Sequence, residues 1–134
     1  MWPPEVERVA EPLRAAGIEA RLEELAPGEE AFPGEAARAV AYECDRRTVV
    51  ALVPAERDPD AAKVGAAADC RPLSPIAPPP FPFAAADRVL IEQRLLTAET
   101  VWLEAGSPRH VLGLDPGVLT QLTRAIPADL TQEG

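Results

Sequence analysis

Thr48 to Val53, Thr-Val-Val-Ala-Leu-Val, is apolar without alternation, and a strand of that composition needs cover on both of its faces. A chain carrying it is expected to bury this strand inside a sheet, with further layers packed above and below. Val40 to Cys44 is also strand-like, and Asp45, Arg46 and Arg47 between the two stretches suit a hairpin turn.

A second strand unit lies between Thr100 and Pro116. Val101 and Leu103 alternate with Trp102 and Glu104, then Gly106, Ser107 and Pro108 supply turn chemistry, and Val111, Leu112 and Leu114 resume an apolar strand. Asp115 stands where a helix N-cap would, Pro116 at the first helical position, and Val118, Leu119, Leu122 and Ile126 follow at helical spacing. A hairpin feeding a helix builds core, so Thr48 to Val53 is expected to neighbour this hairpin in a mixed sheet.

The rest of the chain supplies shorter elements. Val6, Val9, Ala10, Leu13 and Ala16 form a helical stripe that stops at Gly17, with a kink expected at Pro12. Ile18 to Leu25 reads as a short edge strand, followed by an acidic loop to Pro33, and Gly34 to Ala39 reads as one or two helical turns. Asp58 and Pro59 open an alanine-rich helix through Ala68 by the same cap-then-proline rule. Pro72 to Pro82 is too proline-dense for a central strand or a helix and reads as a stiff, extended connection. Its plain reading is a rigid surface loop; its functional reading is a polyproline segment offered to an aromatic groove on a partner. Arg88 to Ile91 is a strand and Glu92 to Leu96 a turn or brief helix. At 134 residues the expectation is one domain, 1–134, of α/β class, with alanine and valine building much of a core that has only 4% aromatic residues to draw on.

Charge narrows the partners. The formal net charge is -9, and of 13 basic residues only Lys63 is a lysine. With no basic block to neutralise phosphates, overall charge argues against DNA and leaves nucleic-acid binding to a local pocket. No apolar run approaches the roughly 20 residues of a membrane span, and Met-Trp-Pro-Pro-Glu lacks the pattern of a secretory signal, so the expected place is the cytoplasm, away from any membrane. Cys44 and Cys70 lack paired CxxC spacing, and in that compartment both are expected to be free, buried thiols. Neither a metal nor a cofactor is implied.

Taken in order, three stretches carry a family resemblance: Val-Glu-Arg-Val-Ala-Glu-Pro-Leu-Arg-Ala-Ala-Gly-Ile near the start, Val-Ala-Leu-Val-Pro in the centre, and Thr-Val-Trp-Leu-Glu-Ala-Gly-Ser-Pro-Arg-His-Val near the end. With Asp60, Lys63 and Val64 between them and Asp115-Pro116 after them, the chain resembles the YbaK/EbsC family of aminoacyl-tRNA deacylases, relatives of the insertion domain of bacterial prolyl-tRNA synthetases. The resemblance spans nearly the whole chain. It implies a mixed α/β fold with a curved sheet and short helices around it, and a pocket for the aminoacylated 3′ end of a tRNA. It also implies hydrolysis of the ester of mischarged tRNA and an aminoacyl-tRNA synthetase as a further partner.

The resemblance assigns roles residue by residue. The family's lysine, just before the strand that here ends in Tyr42-Glu43-Cys44-Asp45, matches Arg38, which keeps the charge on a larger planar fork. The resemblance makes Arg38 the catalytic candidate, an anchor for a phosphate or carbonyl of the tRNA terminus, where its ordinary reading is a surface arginine at a helix end. The family's glycine-containing loop ending in proline, whose backbone holds the substrate near the ester, matches Arg71-Pro72-Leu73-Ser74-Pro75, with the glycines replaced. Pro72 has no amide hydrogen, and losing one oxyanion donor costs about a hundredfold to a thousandfold in rate.

The hairpin adds Gly106, Ser107 and His110 as substrate-binding candidates beside Pro72, Ser74 and Pro75. His110, the only histidine, titrates nearest neutrality, yet a lone histidine after a turn is more often without catalytic duty. Ser107 has no identifiable orienting group to complete a triad, so a serine hydrolase is not expected. Gly106 fits turn geometry, with backbone approach to a ligand as the family-based alternative. Two classes of function stay open. One is a deacylase, slow or narrowly selective because of its changed loop; the other is a non-catalytic relative that binds tRNA, a synthetase or a small ligand.

Overall fold

The computed structural model describes residues 2–26, 34–107 and 109–132, with the main chain alone at 106 and 107. The acidic loop read between residues 27 and 33, and Pro108, lie outside the described residues. Helix α1, Pro4–Ala15, buries the expected stripe of Val6, Val9, Ala10 and Leu13 and contains Pro12. It closes on Gly17 at φ 71°, with Gly17 N–H donating to Arg14 O and Ile18 N–H to Leu13 O, the paired C-terminal bonds that a left-handed glycine permits.

Strand β1, Arg21–Glu24, follows, then β2, Glu35–Cys44, and β3, Arg47–Pro54. The stretch read as helical turns, Gly34 to Ala39, is therefore the first half of β2. Alanine is the best helix former, but local propensity is a weak determinant, and pairing of Ala37 to Cys44 along the whole of β3 overrides it. Asp45 and Arg46, both at positive φ, make a two-residue turn, so Arg47 belongs to the strand.

Helix α2, Ala61–Ala68, begins later than the cap-then-proline rule placed it: Asp60, rather than Asp58, accepts from Ala62 N and Lys63 N at 2.9 and 3.2 Å. Strand β4, Ser74–Ile76, arises inside the proline-rich connection and pairs with β2. Pro75 faces Tyr42 between the Ser74–Glu43 and Ile76–Ala41 pairs, a position at which the ladder needs no N–H from it. Strand β5, Arg88–Glu92, a 3-10 turn at Gln93–Thr97, the hairpin of β6, Val101–Ser107, and β7, His110–Leu114, complete the expected order. Helix α3, Pro116–Thr123, has Asp115 as its cap and ends at Arg124 in the left-handed region, short of the expected Ile126, which instead opens β8, Ile126–Ala128.

Among the described residues the strands form one mixed sheet of eight, in the order β1-β7-β6-β2-β3-β5-β8 with β4 added to β2. β3 is interior, and Val49 to Val53 are buried on both faces. Val50 and Leu52 pack with Leu13, Leu103 and Leu119, whereas Val49, Ala51 and Val53 pack with Val64 and Ala68 of α2. Its neighbours are β2 and β5, not the β6–β7 hairpin. The segment misread as helix explains the difference, since Glu35 and Ala36 at the start of β2 make the parallel link to Val101 and Trp102.

Cys44 and Cys70 are joined in a disulfide, against the expectation of two free thiols. They are 26 residues apart in the chain, but the end of β2 and the return from α2 bring their Cα atoms to 6.2 Å, within reach of a bridge. Alkylating denatured, unreduced protein should therefore add no label, and reduction should expose two sites. Closing a loop of this length stabilises the fold by roughly 3.5 kcal/mol in the chain-entropy account, so reduction should lower the melting temperature. Two labels before reduction would contradict the bond.

Candidate functional site

β2 is paired without interruption to β3 on one edge, but its other edge changes partner. β6 pairs with it only at Glu35 and Ala36, and β4 only from Ala41 to Glu43. Between those partners β2 and β6 separate, and a cavity of about 660 Å³ fills the gap. Ala37, Arg38 and Ala39 of β2 form one wall and Leu103 and Glu104 of β6 the other. Glu5, Arg8 and Val9 of α1 lie along it, with Ala55, Pro78 to Phe81, and Phe83 closing the remainder. The floor is apolar and the charged groups belong to long side chains at its edge, the arrangement of a pocket that holds an apolar group and orients a polar one.

Arg38 is the sequence-derived residue that the fold brings to this cavity. Its Nη2 donates to Arg57 O at 3.1 Å and lies 3.6 Å from Asp58 Oδ1, with 43% of its side chain exposed. An exposed pair of this kind is worth at most about 1 kcal/mol, so the guanidinium can be redirected to a ligand at little cost. Its charge is felt nearby: burial raises the Tyr42 phenol above its ordinary 10.0, and Arg38 pulls it back.

The other candidates are distributed elsewhere. Ser74 and Pro75 lie in β4, opposite Glu43 and Tyr42, and neither they nor Pro72 line the cavity. The part of the proline-rich connection that faces Arg38 is Pro78 to Phe81, farther along the chain than the Arg71 to Pro75 match. His110 begins β7, is 7% exposed, and packs edge-on against Trp2 at 5.5 Å between ring centroids, away from the cavity lining. Its Nδ1 has no hydrogen-bond partner among the described residues. Gly106 and Ser107 are main-chain members of β6, with Ser107 opposite His110 across an irregular register, and the Ser107 side chain is not among the described atoms.

Sequence reasoning missed Leu103, Glu104 and Pro78 to Phe81 as pocket residues. For the first two the signal was present, because the hairpin's first arm was recognised and only its neighbour was wrong. Proline density marked the third as stiff without saying what it faced. Among the described residues no group of three or more His, Cys, Asp or Glu side chains is placed to hold a metal ion, and no helix is long and apolar enough to cross a membrane.

No family model and no curated protein matches the sequence. Solved structures do match. A candidate trans-editing enzyme for prolyl tRNA synthetase is similar over 99% of this chain and 100% of that one, with a TM-score of 0.85 at 21% identity. The fold is YbaK-like. A scaffold protein used for computational grafting of linear epitopes shares it at a TM-score of 0.83 and 22% identity, covering 99% of this chain and all of that one. A hypothetical protein shares it at 0.79 and 16%, over 94% of this chain and all of that one. The YbaK-like fold thus places Arg38 beside an apolar cavity, and the chemistry must be argued from the residues around it.

The field of Arg38 can be measured directly, since Tyr42 is the only tyrosine. The raised phenol contributes stability below its unfolded pKa near 10.0, and that contribution is lost as pH rises through the folded value. Arg38→Ala leaves burial unopposed, so tyrosinate absorbance should appear at higher pH than in the parent protein. An unchanged or lower midpoint would show that the guanidinium does not act there.

Proposed function

We propose that this chain, with residues 1–134 as one unit, is an aminoacyl-tRNA deacylase of the trans-editing kind, acting on the ester of mischarged tRNA. The observation that carries the proposal is the cavity between β2 and β6, apolar within and flanked by Arg38, in a fold shared with a candidate trans-editing enzyme for prolyl tRNA synthetase. The aminoacyl side chain occupies the apolar floor, and Arg38 turns from Asp58 to a phosphate or hydroxyl of the terminal nucleotide, as a fork donor can. A tRNA and the synthetase that charges it are the partners, and the cytoplasm is the place of action. A disulfide is uncommon in that compartment, where thiols are kept reduced, so the state of Cys44 and Cys70 in the cell bears on the reading.

Hydrolysis adds the oxygen of one water to the ester carbonyl carbon. The carbonyl electron pair moves onto its oxygen; collapse then breaks the bond to the ribose oxygen, which leaves with a proton from the water. The products are a free amino acid and an uncharged tRNA end. What the site contributes is position and stabilisation of the oxyanion, the largest lever available to it.

One observation favours the non-catalytic reading. Pro78, Pro79 and Pro80 face the cavity in succession, and none has an N–H to offer an oxyanion. A relative that binds the aminoacyl end, a synthetase or a small ligand without turning it over would have the same cavity.

A panel of deacylation assays across mischarged tRNAs separates the two. Measurable turnover of at least one member, lowered about tenfold or more by Arg38→Ala and weakened by added salt, supports the deacylase. Pro72→Gly, outside the cavity, should leave the rate unchanged. Binding without turnover supports the second reading, and neither binding nor turnover with any charged tRNA overturns the deacylase and leaves a relative that binds a synthetase or a small ligand.

A further inference from the structure

The open edge of β2 has a hydrogen-bonding pattern that the register determines. Along a strand, successive residues turn their N–H and C=O to opposite edges. Ala36 O accepts from Ala55 N at 2.9 Å, on the β3 side. Arg38, Val40 and Tyr42 therefore also turn to β3, and the register agrees, since Ala37 stands opposite Pro54, which has no N–H to give. Ala37, Ala39, Ala41 and Glu43 turn to the other edge. There Ala37 sits beside the last β6 pair, whereas Ala41 and Glu43 face Ile76 and Ser74 of β4. Ala39 alone falls between the two partner strands, turning both an N–H and a C=O into the gap, and it lines the cavity.

We propose that the backbone of Ala39 is the recognition element for the aminoacyl group. The inference rests on the deacylase reading of the cavity. An aminoacyl ester presents an α-ammonium donor and a carbonyl acceptor on either side of one Cα, the same pair that a residue in a strand presents to an antiparallel neighbour. It adds to β2 as a strand of one residue: the α-ammonium donates to Ala39 O and the ester carbonyl accepts from Ala39 N–H. As water adds, the same N–H holds the oxyanion, a contribution that Pro78 to Pro80 cannot make. The side chain of the bound amino acid then stands off the pleat, toward the apolar floor.

The test uses the whole protein, labelled with nitrogen-15, and a panel of 3′-aminoacylamino-3′-deoxyadenosines, whose amide link resists hydrolysis and keeps both the ammonium and the carbonyl. With the tightest-binding member the Ala39 amide proton should move downfield and exchange with solvent more slowly. Ala39→Pro removes the donor without breaking the β3 ladder and should weaken binding about tenfold, while Ala39→Val, of similar bulk with its N–H intact, should bind within about threefold of the parent. Binding that leaves the Ala39 amide unmoved overturns this inference and leaves the deacylase reading standing, as does an equal loss in the valine and proline variants. If no member of the panel binds, the deacylase reading fails and the inference falls with it.

Discussion

The structure depends on one strand that keeps a single partner on one edge and changes partners on the other. β2 pairs with β3 from Ala37 to Cys44, and that ladder sets the positions of both core layers. On its free edge it takes β6 at the start and β4 near the end, so the sheet is continuous only through Glu35 and Ala36. A sheet joined by so short a link must open where the link stops. The cavity is that opening, and its walls are rigid because each belongs to a strand held elsewhere along its length.

The energetics follow the same division. β3 and β5 are buried by small and medium aliphatic side chains, and Glu92, fully buried, is satisfied by Arg94 N, Leu130 N and the Thr131 hydroxyl, which ties the end of β5 to the C-terminal segment. Lys63 does similar work at the surface, reaching Asp129 and Thr131 O from α2. These contacts lie on the β5 side of the sheet. At the cavity Arg38 is held by an exposed carboxylate and a carbonyl, and a group so held is available for a ligand.

Much of this was legible in the sequence, and what was not has physical reasons. The two-faced burial of Thr48 to Val53 follows from its composition, and the hairpin after Thr100 and the cap at Asp115 from local chemistry, so all three appear where they were expected. Gly34 to Ala39 was misread because alanine's local preference says nothing of the partner strand that overrides it. That error also displaced the hairpin from its neighbour and hid the cavity, since the gap exists only where β2 runs past its partners. The cysteines were misjudged because pairing depends on a distance in space that their separation in sequence conceals. Arg38 was found through family resemblance alone, and Ala39 has no signal in its side chain at all.

The central claim is that the gap between β2 and β6 receives the aminoacylated end of a tRNA. A crystal structure of the protein with the tightest-binding 3′-aminoacylamino-3′-deoxyadenosine tests it most directly. The aminoacyl group should lie against Ala39, between Leu103 and the Pro78 to Phe81 segment, with the guanidinium of Arg38 turned toward the nucleoside. The same ligand seated instead against Ser74 and Pro75 of β4, or beside His110 and Ser107 at the far end of the hairpin, would contradict it.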